Sequence, residues 1–140
     1  MPACALFGHH DCPPAIKPIL QNAILAMIGQ DTDTFYIGNQ GAFDRLAQLV
    51  LHEIKEQFPA ISCFIVLAYM PGTTKNRFLL PTILPDGMES VPPMYAIQRR
   101  NQWLLEKADA FIIYQEHSWG NTAKLCEQAK RKGKQIIQIQ

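Results

Sequence analysis

Apolar residues follow two patterns along the chain, consecutive runs and helical spacings. Consecutive apolar runs, which are typical of buried strands, occupy 3–7, 34–37, 61–69, 110–114 and 135–139. Apolar positions that recur every three or four residues, as in helices, fill the intervals 16–27, 42–58, 94–107 and 122–132. The run from Ile61 to Tyr69 is apolar almost throughout, which indicates a central parallel strand that is covered on both faces.

The alternation of strands with helices predicts the fold class. This order forms βαβ units, in which the strands lie parallel and the helices cover both faces of the sheet. We therefore predict a Rossmann-like three-layer αβα sandwich with a mostly parallel sheet of about five strands. The length of 140 residues suits a single domain over 1–140. The pattern dissolves from Met70 to Pro93, apart from a short apolar patch at Phe78 to Ile83.

Composition and charge narrow the range of partners. Hydrophobic residues make up 48% of the chain and charged residues 18%, as in a globular protein. The formal net charge of +1 gives no reason to expect nucleic acid as a partner. No run approaches the roughly 18 apolar residues of a membrane span, and no signal peptide is recognisable. We therefore expect a cytoplasmic protein that does not enter a membrane.

The loops after the predicted strands hold the candidate site, because ligands of parallel α/β sheets bind outside the carboxyl ends of the strands. Glycines, histidines and polar side chains gather in three of these loops, and an arginine-bearing helix follows the long loop. The predicted ligand-binding residues are Gly8, His9, His10, Gly38, Asn39, Gln40, Gly41, Asp44, Arg100, Asn101, Ser118, Trp119, Gly120, Asn121 and Thr122.

The loop from Gly38 to Asp44 is the preferred site for a phosphate or a sugar. Its two glycines let the backbone approach a ligand closely, and the amides that begin the next helix favour an anion. Asp44 either accepts ribose hydroxyls or only complements the helix dipole, and the alternative for the whole loop is a plain strand-to-helix turn. Its spacing is not G-x-G-x-x-G, so we infer no NAD and expect no cofactor.

The segment from Ser118 to Thr122 is a second strand-to-helix loop that is rich in donors. Ser118 or Asn121 either caps the following helix or contacts the ligand, and the two roles are compatible. Trp119 either stacks on a base or anchors the loop.

Arg99 and Arg100 are adjacent on a predicted helix, so only one of them can face the cleft, because neighbouring helical side chains point about 100° apart. An arginine that faces the cleft offers a planar fork to phosphate. The alternative is that both are solvated surface charges.

Groups for catalysis or metal binding are few. His9 and His10 are adjacent, but the other two histidines are too scattered to complete a metal-ligand spacing, so no metal site is expected. Glu89 and Glu116 are the candidate catalytic carboxylates beside Arg100. No Walker A sequence and no Ser-His-Asp arrangement accompanies them.

Three segments are similar to those of a known superfamily. Residues 7–13 resemble an F-x-G-H-R-x-C-P stretch, with His10 in place of the arginine, and 38–44 resemble a glycine-rich loop after the second strand. Both are features of the SLOG superfamily of Rossmann-like proteins, and the first belongs to its small bacterial and phage-borne members. The superfamily includes the Lonely Guy (LOG) phosphoribohydrolases, the DNA-processing DprA proteins and ligand-sensing SLOG domains. The third segment, Arg100-Asn101 followed by 108–112, is similar to the arginine-bearing helix and strand of LOG enzymes, so that Arg100 takes the position of their catalytic arginine. The resemblance covers nearly the whole chain.

The last loop departs from the LOG pattern P-G-G-x-G-T-x-x-E. Asn121 replaces the glycine before the threonine, Leu125 stands at the position of the catalytic glutamate, and Glu127 lies two residues further on. The resemblance therefore implies ligand binding and argues against the LOG reaction.

Three functions remain open. The leading hypothesis is a sensor or sequestering protein that binds a nucleotide-like small molecule, with Arg100 on phosphate and Asp44 on a sugar hydroxyl. The second is a nucleoside 5′-monophosphate N-glycosidase, a hydrolase that combines Arg100 with Glu89 or Glu116. The third is a structural or interaction protein with a vestigial cleft. The resemblance also implies a homo-oligomer, because SLOG relatives often self-associate.

Overall fold

A parallel sheet covered by helices organises the chain in this computed structural model, which describes residues 2–69, 78–116 and 118–140. Six strands lie in the sheet within these ranges, in the order β4-β3-β2-β1-β5-β6. The strands are β1 (Ala3–Gly8), β2 (Thr34–Ile37), β3 (Ser62–Val66), β4 (Thr82–Ile83), β5 (Ala110–Tyr114) and β6 (Gln135–Ile139). The helices are α1 (Lys17–Gly29), α2 (Ala42–Gln57), α3 (Pro93–Lys107) and α4 (Asn121–Arg131).

Helices cover both faces of the sheet, because successive side chains of a strand point to opposite sides. In β1, Cys4 and Leu6 pack into the core with α1 and α2, whereas Ala5 and Phe7 pack with α3 and α4. All five residues of β5 are buried, as expected for a strand with neighbours and helices on every side. The predicted Rossmann-like αβα sandwich is confirmed, and every strand pair within the described residues is parallel.

The strand that the sequence did not predict is β4, which lies in the apolar patch that interrupts the irregular segment from Met70 to Pro93. Two residues are too few to show a hydrophobic period, so the sequence predicts about five strands and misses this one. The strand is defined by its partners instead. Backbone amides of Ile65 and Leu67 each donate a hydrogen bond of 2.8 Å, to the carbonyl oxygens of Pro81 and Ile83.

The predicted strand at 61–69 is also shorter in the structure, because its neighbours are short. The ladder with β2 ends at Ile65 and the ladder with β4 ends at Val66, so β3 ends there too. Part of the irregular segment, 70–77, lies outside the described residues. In the ranges that the structure describes, no helix is both long enough and apolar enough to cross a membrane.

Strand order creates a crevice at one point of the sheet. From β1 the chain proceeds to β2, β3 and β4 on one side, and then returns to add β5 and β6 on the other side of β1. The connections that leave β1 and β5 therefore run to opposite faces, and their loops separate at the carboxyl edge of the sheet. This topological switch point is where open α/β sheets bind ligands.

Candidate functional site

A cavity of about 500 Å³ opens at this switch point. It is bounded by the loop after β1, the loop after β2, one side of α3 and the loop before α4. Predicted ligand-binding residues that line it are Gly8, His9, His10, Gln40, Asp44, Arg100, Trp119, Gly120, Asn121 and Thr122. The structure thus brings together residues from four segments that are far apart in sequence.

The other predicted residues lie outside the lining, and most of them support it. Asn101 contacts Arg100, and Asn39 accepts a hydrogen bond of 3.2 Å from the Gln48 side chain. Gly38 and Gly41 are packed beneath the lining residues. Ser118 is exposed and does not line the cavity. In the structure, Gly38, Asn39, Gly41 and Asn101 therefore lie behind the lining, and their direct contact with a ligand stays a prediction, as does that of Ser118.

Three lining residues were not predicted, namely Phe7, Asp11 and Ile97. Ile97 precedes Arg100 by three residues and so lies on the same side of α3, a spacing that would have identified it. Phe7 is the residue of β1 that faces α3, and the Arg100 guanidinium carbon lies 5.8 Å from the centre of its ring. Asp11 directly follows the predicted pair of histidines.

Arg100 forms the floor of the cavity and is only 2% exposed. Its Nε donates a hydrogen bond of 2.9 Å to Oδ1 of Asn101, and one Nη donates a bond of 3.2 Å to the carbonyl oxygen of Val66. The adjacent Arg99 is exposed and does not line the cavity. As predicted, only one of the two arginines faces the cleft, and it is held in place at several points.

Asp44 lies across Gly38 from Arg100. A Cβ atom at Gly38 would be 2.6 Å from an Nη of Arg100 and 2.8 Å from Oδ2 of Asp44, so only glycine leaves room for both groups. The Asp44 side chain is 6% exposed, and its Oδ2 accepts a hydrogen bond of 2.7 Å from the Gln40 amide. A cation and a carboxyl group therefore share the floor of one cavity.

Burial dominates the electrostatics of this pair. It raises the pKa of Asp44 to about 6, although Arg100, the Gln40 amide and His10 each oppose the shift. It also lowers the pKa of Arg100, and Asp44 opposes that shift. An arginine remains charged at neutral pH even so, because its ordinary pKa is far above 7. The charge of Asp44 is the one that changes near neutrality.

The helices α2 and α4 begin in the same way at two corners of the cavity. Each follows a glycine in a conformation that other residues avoid, Gly41 with φ 100° and ψ −172°, and Gly120 with φ 94° and ψ −180°. Within the described residues no side chain caps either helix, so the alternative in which Ser118 or Asn121 caps α4 does not hold.

The amides before α2 are already occupied, and those of α4 are the better anion site. The Gln40 amide donates to Asp44, and the Ala42 amide donates a bond of 2.8 Å to the carbonyl oxygen of His10. The first turn of α2 also carries the carboxyl group of Asp44, whereas that of α4 carries no acidic residue. An anion therefore gains more at the start of α4 than at the start of α2. The phosphate site in the Gly38 to Asp44 loop stays a prediction.

The candidate catalytic glutamates stand apart from the cavity. Glu89 and Glu116 are both exposed and neither lines it. Leu125 is buried in the core beside α3, and Glu127 forms an exposed ion pair of 2.7 Å with Arg131. Asp11 and Asp44 are the carboxylates among the described lining residues. His117 lies outside the described residues, and the rest of the chain contains no group of three His, Cys, Asp or Glu side chains placed to hold a metal ion.

Replacing Gly120 with alanine is expected to destabilise the protein by about 2 kcal/mol, because its backbone conformation is nearly restricted to glycine. A Cβ atom there would meet no atom within 4 Å, so the cost comes from the backbone alone. Urea unfolding followed by tryptophan fluorescence measures it. Gly133→Ala is the matched control, since Gly133 has φ 71°, also has open space, and lies far from the cavity lining. Both variants should lose stability, and only Gly120→Ala should weaken ligand binding.

Comparison with known proteins gives a fold and no family. No family model matches the chain, and no curated protein matches it. Among solved structures, the X-ray structure of DNA processing protein A (DprA) from Streptococcus pneumoniae is similar, with a TM-score of 0.67 and 15% sequence identity. The alignment covers 98% of this chain and 50% of that one, so the chain spans half the length of the DprA chain. At this identity the likeness shows a shared Rossmann-like fold.

Proposed function

We propose that the protein binds a nucleotide or a nucleotide-derived phosphate ligand in the cavity at the carboxyl edge of the sheet, and acts as a sensor or a sequestering protein. The observation that carries this proposal is Arg100, a buried cation that is fixed at the floor of a cavity at the topological switch point. Burying a cation is costly, and an anionic ligand over Arg100 would compensate that cost when it is bound.

The lining suggests an orientation for the ligand. Its phosphate would lie over the first turn of α4, on the amides of Gly120, Asn121 and Thr122, with Arg100 beneath it. Asp44 shares the floor with Arg100, on the other side of Gly38, where its carboxyl group can form a hydrogen bond with a sugar hydroxyl. Trp119 is 69% exposed at the rim and offers a flat surface on which a base can stack.

Membership of the SLOG superfamily is part of the proposal. The similarity of fold to DprA and the likeness of 7–13 and 38–44 to SLOG segments support it. A single domain over 1–140, a cytoplasmic location and a homo-oligomeric state are proposed on the same grounds. Among the described residues, Met94 at 77% and Tyr95 at 55% are adjacent exposed apolar side chains at the start of α3, which is consistent with self-association.

An N-glycosidase acting on nucleoside 5′-monophosphates is the second candidate function, and Asp44 favours it. Burial raises the pKa of this carboxyl to about 6, close to the value that suits a general acid or base at neutral pH. In this candidate, Asp44 replaces Glu89 and Glu116 as the catalytic carboxylate. Release of free base from AMP by the wild type, and its loss in Asp44→Asn, would establish this reaction.

A thermal-shift panel of nucleoside mono- and diphosphates, ADP-ribose and cyclic nucleotides tests the proposal. A ligand at about 100 times its Kd should add roughly 2.7 kcal/mol to the stability of the folded state. Mass spectrometry of each mixture then separates binding from turnover, because a bound ligand is recovered intact and a hydrolysed one as base plus sugar phosphate. No shift with any compound would contradict nucleotide binding and favour an interaction protein with a vestigial cleft.

A further inference from the structure

Asp44 is a second ionisable group beside the proposed anion site, and groups from four segments surround its carboxyl. Arg100 interacts with it from α3 and His10 from the loop after β1, and the Gln40 amide donates a hydrogen bond to it from the loop after β2. Arg45, which is exposed on the same helix, adds a weaker positive charge. Although three of these groups can be cationic, burial outweighs them and favours the neutral carboxyl. The site is therefore already close to taking up a proton before any ligand binds.

An anion bound over Arg100 would shift this balance further. Arg100 and Asp44 lie on opposite sides of Gly38, and the positive charge of Arg100 stabilises the Asp44 carboxylate. An anion on Arg100 would offset that positive charge, and it would also exclude water from the cavity. Both effects disfavour a second negative charge at Asp44. Since Oδ2 accepts the Gln40 amide, a proton would reside on Oδ1, which then becomes a hydrogen-bond donor.

We propose that binding of an anion at Arg100 is coupled to the uptake of one proton by Asp44, so that Asp44 determines which ligands the cleft accepts. This proposal rests on the proposed function, in which an anion binds at Arg100, and it says which anions the site would prefer. A neutral Asp44 offers an O–H donor beside the guanidinium, which suits a ligand that presents oxygen acceptors at both places. A carboxylate at Asp44 would repel the same ligand, so affinity follows the protonation of this one residue.

Inorganic sulfate is the probe, because its charge does not change between pH 5.5 and 8 and it cannot supply the coupled proton itself. Isothermal titration in two buffers of different ionisation enthalpy counts the protons taken up. If sulfate binds only the protonated form, its affinity should fall by up to tenfold for each pH unit above about 6. At pH 7.5 the wild type should take up close to one proton for each sulfate bound.

Asp44→Asn is the decisive variant, because an amide is similar in shape to the neutral acid and keeps a donor. It should bind sulfate at pH 8 about as tightly as the wild type does at pH 5.5, without proton uptake. Asp11→Asn removes an exposed carboxylate of the same cavity and should retain the wild-type pH dependence. His10→Asn removes a group that opposes protonation of Asp44, so the fall in sulfate affinity should move to higher pH and should not disappear.

Three results would overturn the proposal: a wild-type affinity for sulfate that is constant across this range, no binding of sulfate even at pH 5.5, or the same pH dependence in Asp44→Asn. Each is compatible with nucleotide binding in the thermal-shift panel, so failure of the coupling is distinguishable from failure of the proposed function. If Asp44→Asn does not fold, the wild-type proton count in the two buffers decides alone.

Discussion

Replacing Gly8 with alanine is expected to lower the free energy of unfolding by about 3 kcal/mol, through overpacking of the core beneath the site. Gly8 ends β1 and pairs with Tyr114 in β5. A Cβ atom at Gly8 would lie 2.3 Å from Cγ of Phe43 and within 2.7 Å of both Cδ atoms. These are the ring atoms closest to the Phe43 backbone and not the far end of a flexible side chain, so a rotamer change does not relieve the contact.

Phe43 cannot move aside easily, because it is 0% exposed and its ring stacks on that of Tyr114, with 6.2 Å between the ring centres and 3° between the planes. Urea denaturation measures the loss, and Gly29→Ala is the control, since a Cβ atom there has nothing within 4 Å. The double variant Gly8→Ala, Phe43→Leu should regain part of the stability that Gly8→Ala loses. Equal stability of Gly8→Ala and the control would show that the packing around Phe43 is not as described.

Replacing Arg100 with glutamine is expected to weaken AMP binding about 100-fold, which corresponds to roughly 3 kcal/mol for charge-assisted hydrogen bonds in a buried site. Glutamine cannot supply the charge or the planar fork, and it removes the cation that interacts most strongly with Asp44. Isothermal titration with AMP measures the change. Arg99→Gln is a closely matched control, because it removes the same charge from the adjacent, exposed position of α3.

The control should bind AMP within about twofold of the wild type, since a solvated charge outside the cavity contributes little. Both variants need the same check by thermal melting, because Arg100 also holds Asn101 and the Val66 carbonyl oxygen. A folded Arg100→Gln variant that binds AMP as tightly as Arg99→Gln would remove Arg100 from the site.

Most of the fold could be predicted from the sequence, because its strands are consecutive apolar runs. β2, β5 and β6 have the predicted bounds. In β5 all five residues are buried, and such a strand appears in the sequence as a continuous apolar run. β4 could not be predicted, because its two residues are recognisable as a strand only by their pairing with β3. The early end of β3 likewise depends on how far its neighbours extend.

The candidate site could be predicted only in part, because sequence shows which residues follow a strand but not what they contact. Gly8, Gly120 and Arg100 reach the cavity as expected. The role of Gly38 depends on two side chains that meet beside it, one of them from the distant helix α3. Asn101 follows Arg100 in sequence, yet its bond to the Arg100 side chain requires the burial of both residues.

The hydrogen bonds that the backbone amides of Gln40 and Ala42 already make are the clearest example of information that the sequence did not contain. A glycine-rich loop before a helix predicts an anion site, and the Gly38 to Asp44 loop has this form. In the fold, the His10 carbonyl oxygen and the Asp44 carboxyl group already accept the amides of Ala42 and Gln40. One of these acceptors belongs to another loop, so no local rule would reveal it.

The most direct test of the central claim is a map of backbone amide chemical shifts, recorded by nuclear magnetic resonance as AMP is added to the wild type. We predict that the largest changes occur at Gly120, Asn121 and Thr122 and at the Arg100 side chain, with smaller changes at Gly8 and Gln40. Ile19 and Leu25 on the outer face of α1 should not change. Changes confined to α1 and α2 away from the cavity, or no changes at saturating AMP, would contradict the account.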